Sequence, residues 1–253
     1  TSEKMKMRNP KARMTIIAGI QVLVLLLAFP CAQSATREER PPYDIRNGHP
    51  RVFMTNERLE DIRNRCADKR GAQASYYRAV KDYADRFSPG NRKPSVYRCL
   101  CLAFAYALGE VPGYGYSKRS IEEYGRLGVD MLVQLHPPKD LSYFRRRTPP
   151  LIACYDWLFP AKTPEERARV FENFTTVCDK MRDSARKETG NRFRGTRETY
   201  AYYGLAFHGD GKDIYPNDPS LADAADQKAR EYCDFFVSYF LKNYFVVLET
   251  ACK

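Results

Sequence analysis

The sequence predicts an all-α protein of antiparallel helical hairpins. Three observations point there. Apolar residues recur three and four apart along most of the chain, and Gly/Pro/Asp-rich turns interrupt them at helix-length intervals. Almost nothing alternates with the period of two that a half-buried strand needs. Helices joined by short loops pack as antiparallel neighbours.

Residues 1–34 read as a signal peptide. Lys4, Lys6, Arg8, Lys11 and Arg13 form a basic region ahead of an apolar run over 14–29 that is short for a membrane span. Pro30 breaks that run, and Ala32 and Ser34 supply the small residues a signal peptidase requires, so cleavage is expected before Ala35. A lipid anchor on Cys31 is the weaker alternative, because Phe29 and Pro30 stand where small residues belong. The expectation is an exported protein, periplasmic or secreted, with no stable membrane insertion once the leader is removed.

Residues 35–54 are polar and proline-bearing, an extended lead-in. Regular structure begins at Thr55, an N-cap for a helix through Leu59, Ile62 and Cys66 that stops at Gly71. A second helix over 72–87 ends at Ser88-Pro89-Gly90. Further helices are expected over 95–108, 117–135, 143–158, 164–186, 192–207 and 221–248. Thr163-Pro164-Glu165-Glu166 combines a cap, a proline in the first turn and two acids facing the positive end of the helix dipole. The spacing of helix pairs has no fixed period, so no tetratricopeptide-like array is indicated. The last helical pattern runs toward Lys253 with no closing signal, and 55–253 is expected to be the N-terminal part of a larger helical domain.

The formal net charge is +11, of which the leader carries +4 and the remaining 219 residues +7. Outside the cytoplasm such a basic surface meets acidic polysaccharide more readily than nucleic acid, although solubility alone also accounts for it. Seven cysteines follow the leader (Cys66, Cys99, Cys101, Cys154, Cys178, Cys233 and Cys252), mostly inside apolar helical patterns. They read as buried thiols, with one or two disulfides as the alternative, and no CxxC spacing points to zinc or redox chemistry. Asp210, Asp213, Asn217 and Asp218 lack the calcium-loop pattern, so no metal or cofactor is expected.

Three segments carry a family resemblance. His49-Pro50-Arg51-Val52-Phe53-Met54-Thr55-Asn56-Glu57-Arg58-Leu59 resembles the HPRLxLTxERL opening of heparinase II/III-like and related alginate-lyase proteins. Leu102-Ala103-Phe104-Ala105-Tyr106-Ala107-Leu108-Gly109 resembles an early inner helix of that family. Ala153-Cys154-Tyr155-Asp156-Trp157-Leu158-Phe159-Pro160, followed by Thr163-Pro164-Glu165-Glu166-Arg167, resembles its AYDWL…LTPEER junction. The resemblance implies an incomplete (α/α) toroid whose groove holds an acidic polysaccharide, with a β-sandwich following in the family. It also implies cleavage of a uronate-containing glycan by β-elimination. In that reaction a base removes the proton α to the C6 carboxylate while the 4-linked sugar leaves, so the site must stabilise the enolate and supply a base and an acid.

By the same resemblance, Asn191 in Gly190-Asn191-Arg192-Phe193-Arg194 is the carboxylate-neutralising residue; it is equally suited to capping the helix it opens. Arg194 and Arg197 can grip an anionic sugar through their guanidinium forks, or simply form a solvated face. Tyr200, Tyr202 and Tyr203 offer rings to a pyranose face, with packing between helices as the alternative. His208, before Gly209-Asp210-Gly211, suits a helix C-terminus, where its cation meets the dipole and Gly209 turns the chain; substrate binding is the second role considered. The chain departs from the family pattern at Gly195-Thr196-Arg197, where an acidic or aromatic residue is expected. The family's Tyr base and partner His would lie beyond Lys253. The rival readings are an (α/α)-barrel hydrolase, which needs two carboxylates flanking the bond, and an exported α-solenoid that binds glycan or protein without turnover. Asp156, Glu198 and Asp210 are available to the first of these, without a paired pattern.

Overall fold

The computed structural model describes residues 48–68, 72–87, 93–112, 118–139, 141–187 and 190–240; for 141–143, 145, 183–187, 190–195 and 239–240 it describes the backbone alone. The predicted leader, most of the lead-in and Cys252 lie outside these residues. By its contacts the chain divides into Thr1–Pro41 and Pro42–Lys253, and the described residues lie in the second unit.

Every regular element among the described residues is helical. The helices are α1 (Asn56–Ala67), α2 (Ala72–Asp85), α3 (Val96–Leu108), α4 (Ile121–Leu132) and α5 (Leu141–Trp157). A 3-10 turn (Phe159–Ala161) leads to α6 (Pro164–Lys187), α7 (Gly190–Phe207), the one-turn α8 (Gly211–Ile214) and α9 (Pro219–Phe240). Local chemistry sets several starts. Thr55 caps α1 by accepting from the Arg58 amide at 3.2 Å. Ser120 and Glu123 form a reciprocal capping box, which starts α4 at Ile121, four residues later than the periodicity suggests. Thr163 and Glu166 exchange the same pair of bonds at the start of α6.

The interior of α5 overrides its local sequence. Pro149 and Pro150 sit inside the helix, where each removes an amide donor and crowds the preceding turn. Yet Leu151, Ile152, Cys154, Tyr155, Asp156 and Leu158 are wholly buried. Burial of a nearly continuous apolar run outweighs a penalty of about 3 kcal/mol per proline.

Alternate helices form a row: α3 packs on α5, and α5 on α7. Helix α4 covers α3, α2 lies against α3, and α9 makes the most extensive contact in the fold with α7. That last contact needs Gly204, where an added Cβ would lie 2.7 Å from the Ala229 carbonyl oxygen and 2.8 Å from the Cys233 amide. Aromatic rings fill the seams: Tyr200 and Tyr203 meet Tyr232 at 5.5 and 5.1 Å, and Tyr155 meets Phe207 at 4.1 Å between centroids.

The six described cysteines are free thiols, and all are buried. Burial pushes Cys66 up to about 11 and Cys101 and Cys233 up to about 12, and raises Cys154 and Cys178 well above the usual thiol range. Because the thiolate is the attacking species, these five should resist iodoacetamide at neutral pH until the protein is denatured. Peptide mapping by mass spectrometry checks this; rapid native labelling of any of the five would contradict their placement.

Candidate functional site

A buried charged residue in an apolar helix needs partners. Asp156 lies near the end of α5, with its side chain fully buried. Its oxygens accept from the Arg51 amide at 3.0 and 2.9 Å and from the Val52 amide at 2.8 Å, and Oδ1 lies 2.5 Å from His49 Nδ1. The other ring nitrogen, His49 Nε2, is 3.1 Å from both oxygens of Asp210, in the turn between α7 and α8. Nε2 also lies 3.0 Å from Arg51 Nη2, so this nitrogen stands between a cationic donor and a carboxylate.

Arg51 completes the cluster. Nη2 reaches Asp210 Oδ1 at 2.8 Å, Nη1 donates to the His208 carbonyl and Nε to the Gly48 carbonyl at 3.3 Å. The segment His49–Val52 is thereby latched to the ends of α5 and α7 at once. Trp157 Nε1 adds a bond to the Val52 carbonyl at 3.3 Å. Beyond the latch, Phe53 takes the left-handed conformation (φ 65°) and lays its ring 4.7 Å from that of Tyr202. Such a φ in a bulky residue costs about 1–3 kcal/mol and persists only where surroundings hold it.

Behind the latch, the Tyr155 hydroxyl donates to Asp210 Oδ2 at 3.1 Å. Burial first, and then the Asp210 charge, drive this phenol well above the ordinary tyrosine range. The Lys162 ammonium donates to the Tyr155 carbonyl and lies 3.4 Å from the centre of the Tyr155 ring. Burial holds it well below the usual lysine range, opposed by Asp210.

In front of the latch a cleft of about 400 Å³ opens. His49, Arg51 and Asp210 line it, together with Phe159, Arg167, His208 and Asp213. Phe159 stacks on His49 at 3.7 Å and also carries the Arg167 guanidinium, 4.2 Å from its centre. Arg167 is held by the carbonyls of Phe159 and Asp213, each at 3.2 Å.

Of the candidate lyase-site residues singled out from the sequence whose side chains are described, His208 alone lines this cleft. His208 follows the last residue of α7, half-buried, and lines this cleft, with Gly209 at φ 74° after it. Asn191 and Arg194 lie in the first turns of α7, and their side chains are outside the described set. Tyr200 and Tyr203 are core residues rather than groove linings: both are fully buried, with hydroxyls donating to the carbonyls of Cys178 (2.7 Å) and Phe171 (3.4 Å). Helix α7 is covered on that side by α6 and α9, which the sequence of α7 alone does not reveal. Arg197 is 8% exposed, its guanidinium 4.6 Å from the centre of the Phe235 ring. That is a packed position, not a solvated face.

The sequence reading missed the latch as a site. Its signals were an aspartate inside an apolar run and a lone His-Pro-Arg just before the first helix. Among the described residues no three or more His, Cys, Asp or Glu side chains group as a metal site, and no helix is long and apolar enough to cross a membrane. Fold and site together define an all-α protein in which a buried ionic latch backs an open polar cleft. No family model, curated protein or solved structure matches the chain.

Proposed function

We propose that this chain belongs to an exported polysaccharide lyase that cleaves an acidic, uronate-containing glycan by β-elimination, its helices belonging to an (α/α) toroid. One observation carries the reading. The three segments on which the family resemblance rests, far apart in sequence, meet in space: His49, Arg51 and Val52 bond to Asp156 and Trp157, and Phe104 packs on Trp157 at 5.8 Å. They form one structural unit rather than three coincidences of composition. The contacts of α3 with α5 and of α5 with α7 support this reading, since a toroid of paired helices has alternate helices packed side by side.

The hydrolase alternative draws no support from the carboxylates. Asp156 and Asp210 do converge, but on His49, and both Asp156 oxygens are taken up by amides and the imidazole. A general acid and a base or nucleophile must instead face the scissile bond.

In this reading Asn191 donates its amide to the substrate carboxylate as charge grows on it, an interaction stronger in the transition state than in the bound substrate. The test uses protein from the complete reading frame, a panel of uronate-containing glycans and the ultraviolet absorbance of the unsaturated product. Wild type should form that product, and Asn191→Ala should lower kcat by about a hundredfold with little change in KM. If the variant keeps full turnover but melts earlier, Asn191 serves only the stability of the first turn of α7. If wild type forms no unsaturated product on any glycan, the lyase assignment falls.

A further inference from the structure

The geometry points to a second role for the far end of α7: the cleft around His49, Arg167, His208 and Asp213 is a binding site for one carboxylated sugar residue. Its volume, about 400 Å³, falls within the range of small-ligand sites. Its back wall is buried and mutually bonded. Arg51 and His49 face Asp156 and Asp210 with side chains 7%, 3%, 0% and 1% exposed, so each is held by the others and none needs a ligand.

The unspent groups are nearer the mouth. The Arg167 guanidinium is fixed by two backbone carbonyls, and its nearest carboxylate is Asp213, 4.0 Å away and 58% exposed. A pair that long and that wet contributes little, so the cation remains available to a better acceptor. The half-buried His208 imidazole lines the same cleft and supplies a further donor. An entering carboxylate complements these two, while the exposed Asp213 side chain can accept from a hydroxyl. Planar donors and acceptors of this kind, fixed in advance, bind with little ordering cost.

His208 stands seventeen residues beyond Asn191, about 25 Å along a helix that rises 1.5 Å per residue. One sugar residue cannot reach both. The cleft therefore holds a different part of a chain from the part on which Asn191 would act. The carboxylate half of this inference rests on the charges at the cleft; the sugar half rests on the glycan reading above.

The experiment is calorimetric titration of the full chain with D-glucuronate, D-glucose and acetate, with no turnover required. Glucuronate should bind at least roughly tenfold more tightly than glucose or acetate. Arg167→Lys and His208→Ala should each weaken glucuronate roughly tenfold, and Asp213→Asn, which removes a competing carboxylate from an exposed position, should tighten it. Equal binding of glucose overturns the charge assignment, and equal binding of acetate overturns the sugar assignment. Absence of glucuronate binding, or an unchanged Kd in both His208→Ala and Asp213→Asn, overturns the site. Loss of lyase product with glucuronate binding intact would count against the enzymatic reading alone.

Discussion

Asp156→Ala is expected to destabilise the protein by about 3–5 kcal/mol, the loss typical when one member of a buried ion pair is removed. The carboxylate accepts from two backbone amides and the His49 ring, and it has no access to solvent. Alanine leaves those amides without acceptors and His49 with Asp210 as its one carboxylate partner. For a domain near 200 residues this corresponds to a fall in Tm of roughly 10 °C. The segment 48–52, freed from the end of α5, should also become the first site of limited proteolysis. The paired variant His49→Ala/Asp156→Ala should lose less than the sum of the single losses, because it no longer strands an imidazole beside a missing partner. Thermal melts of the three variants decide the matter. An Asp156→Ala Tm within 2 °C of wild type, by about the margin of such melts, would show that the latch contributes nothing.

A comparable loss, about 3 kcal/mol, is expected for Gly211→Ala, at the upper end of what overpacking usually costs. Gly211 opens the single turn of α8, and its amide donates to Asp226 Oδ1 at 2.8 Å. A Cβ there would lie 2.1 Å from the carbonyl oxygen of Ala222 and 2.8 Å from its carbon. Those atoms belong to the backbone of α9 and cannot rotate away as a side chain would. The turn carrying Asp210 must therefore move off α9, which strains the bonds from Asp210 to His49 and Arg51 as well. Denaturant unfolding of Gly211→Ala measures the loss. An unchanged midpoint would mean that α8 and α9 part without consequence, and that the position of Asp210 is not set by this contact.

Much of the helical layout is legible in the sequence because it depends on neighbours within a turn or two. Thr55 before Asn56, and Thr163 with Pro164 and Glu166, announce helix starts by chemistry that acts over three residues, and both helices begin there. The apolar periodicity around Leu59, Ile62 and Cys66 likewise marks a face that is buried. At Ser120 and Glu123 the same chemistry sets the start of α4 four residues beyond the point where apolar periodicity alone places it.

The tertiary structure decided the rest. Helix α5 runs through Pro149-Pro150 because its second half is enclosed on all sides, a condition set by α3 and α7 rather than by its own residues. Tyr200 and Tyr203 carry polar hydroxyls that a sequence reading places equally well in a groove; they are core because α6 and α9 close over them, α6 offering a carbonyl to each hydroxyl and α9 the Tyr232 ring. The latch lies furthest from any local rule. His49 meets Asp156 across 107 positions and Asp210 across 161, and nothing in the spacing of those residues foretells it. Helix periodicity specifies which face of α5 and of α7 turns inward, but only the packing of the two helices side by side brings the end of one and the turn beyond the other within reach of a single imidazole.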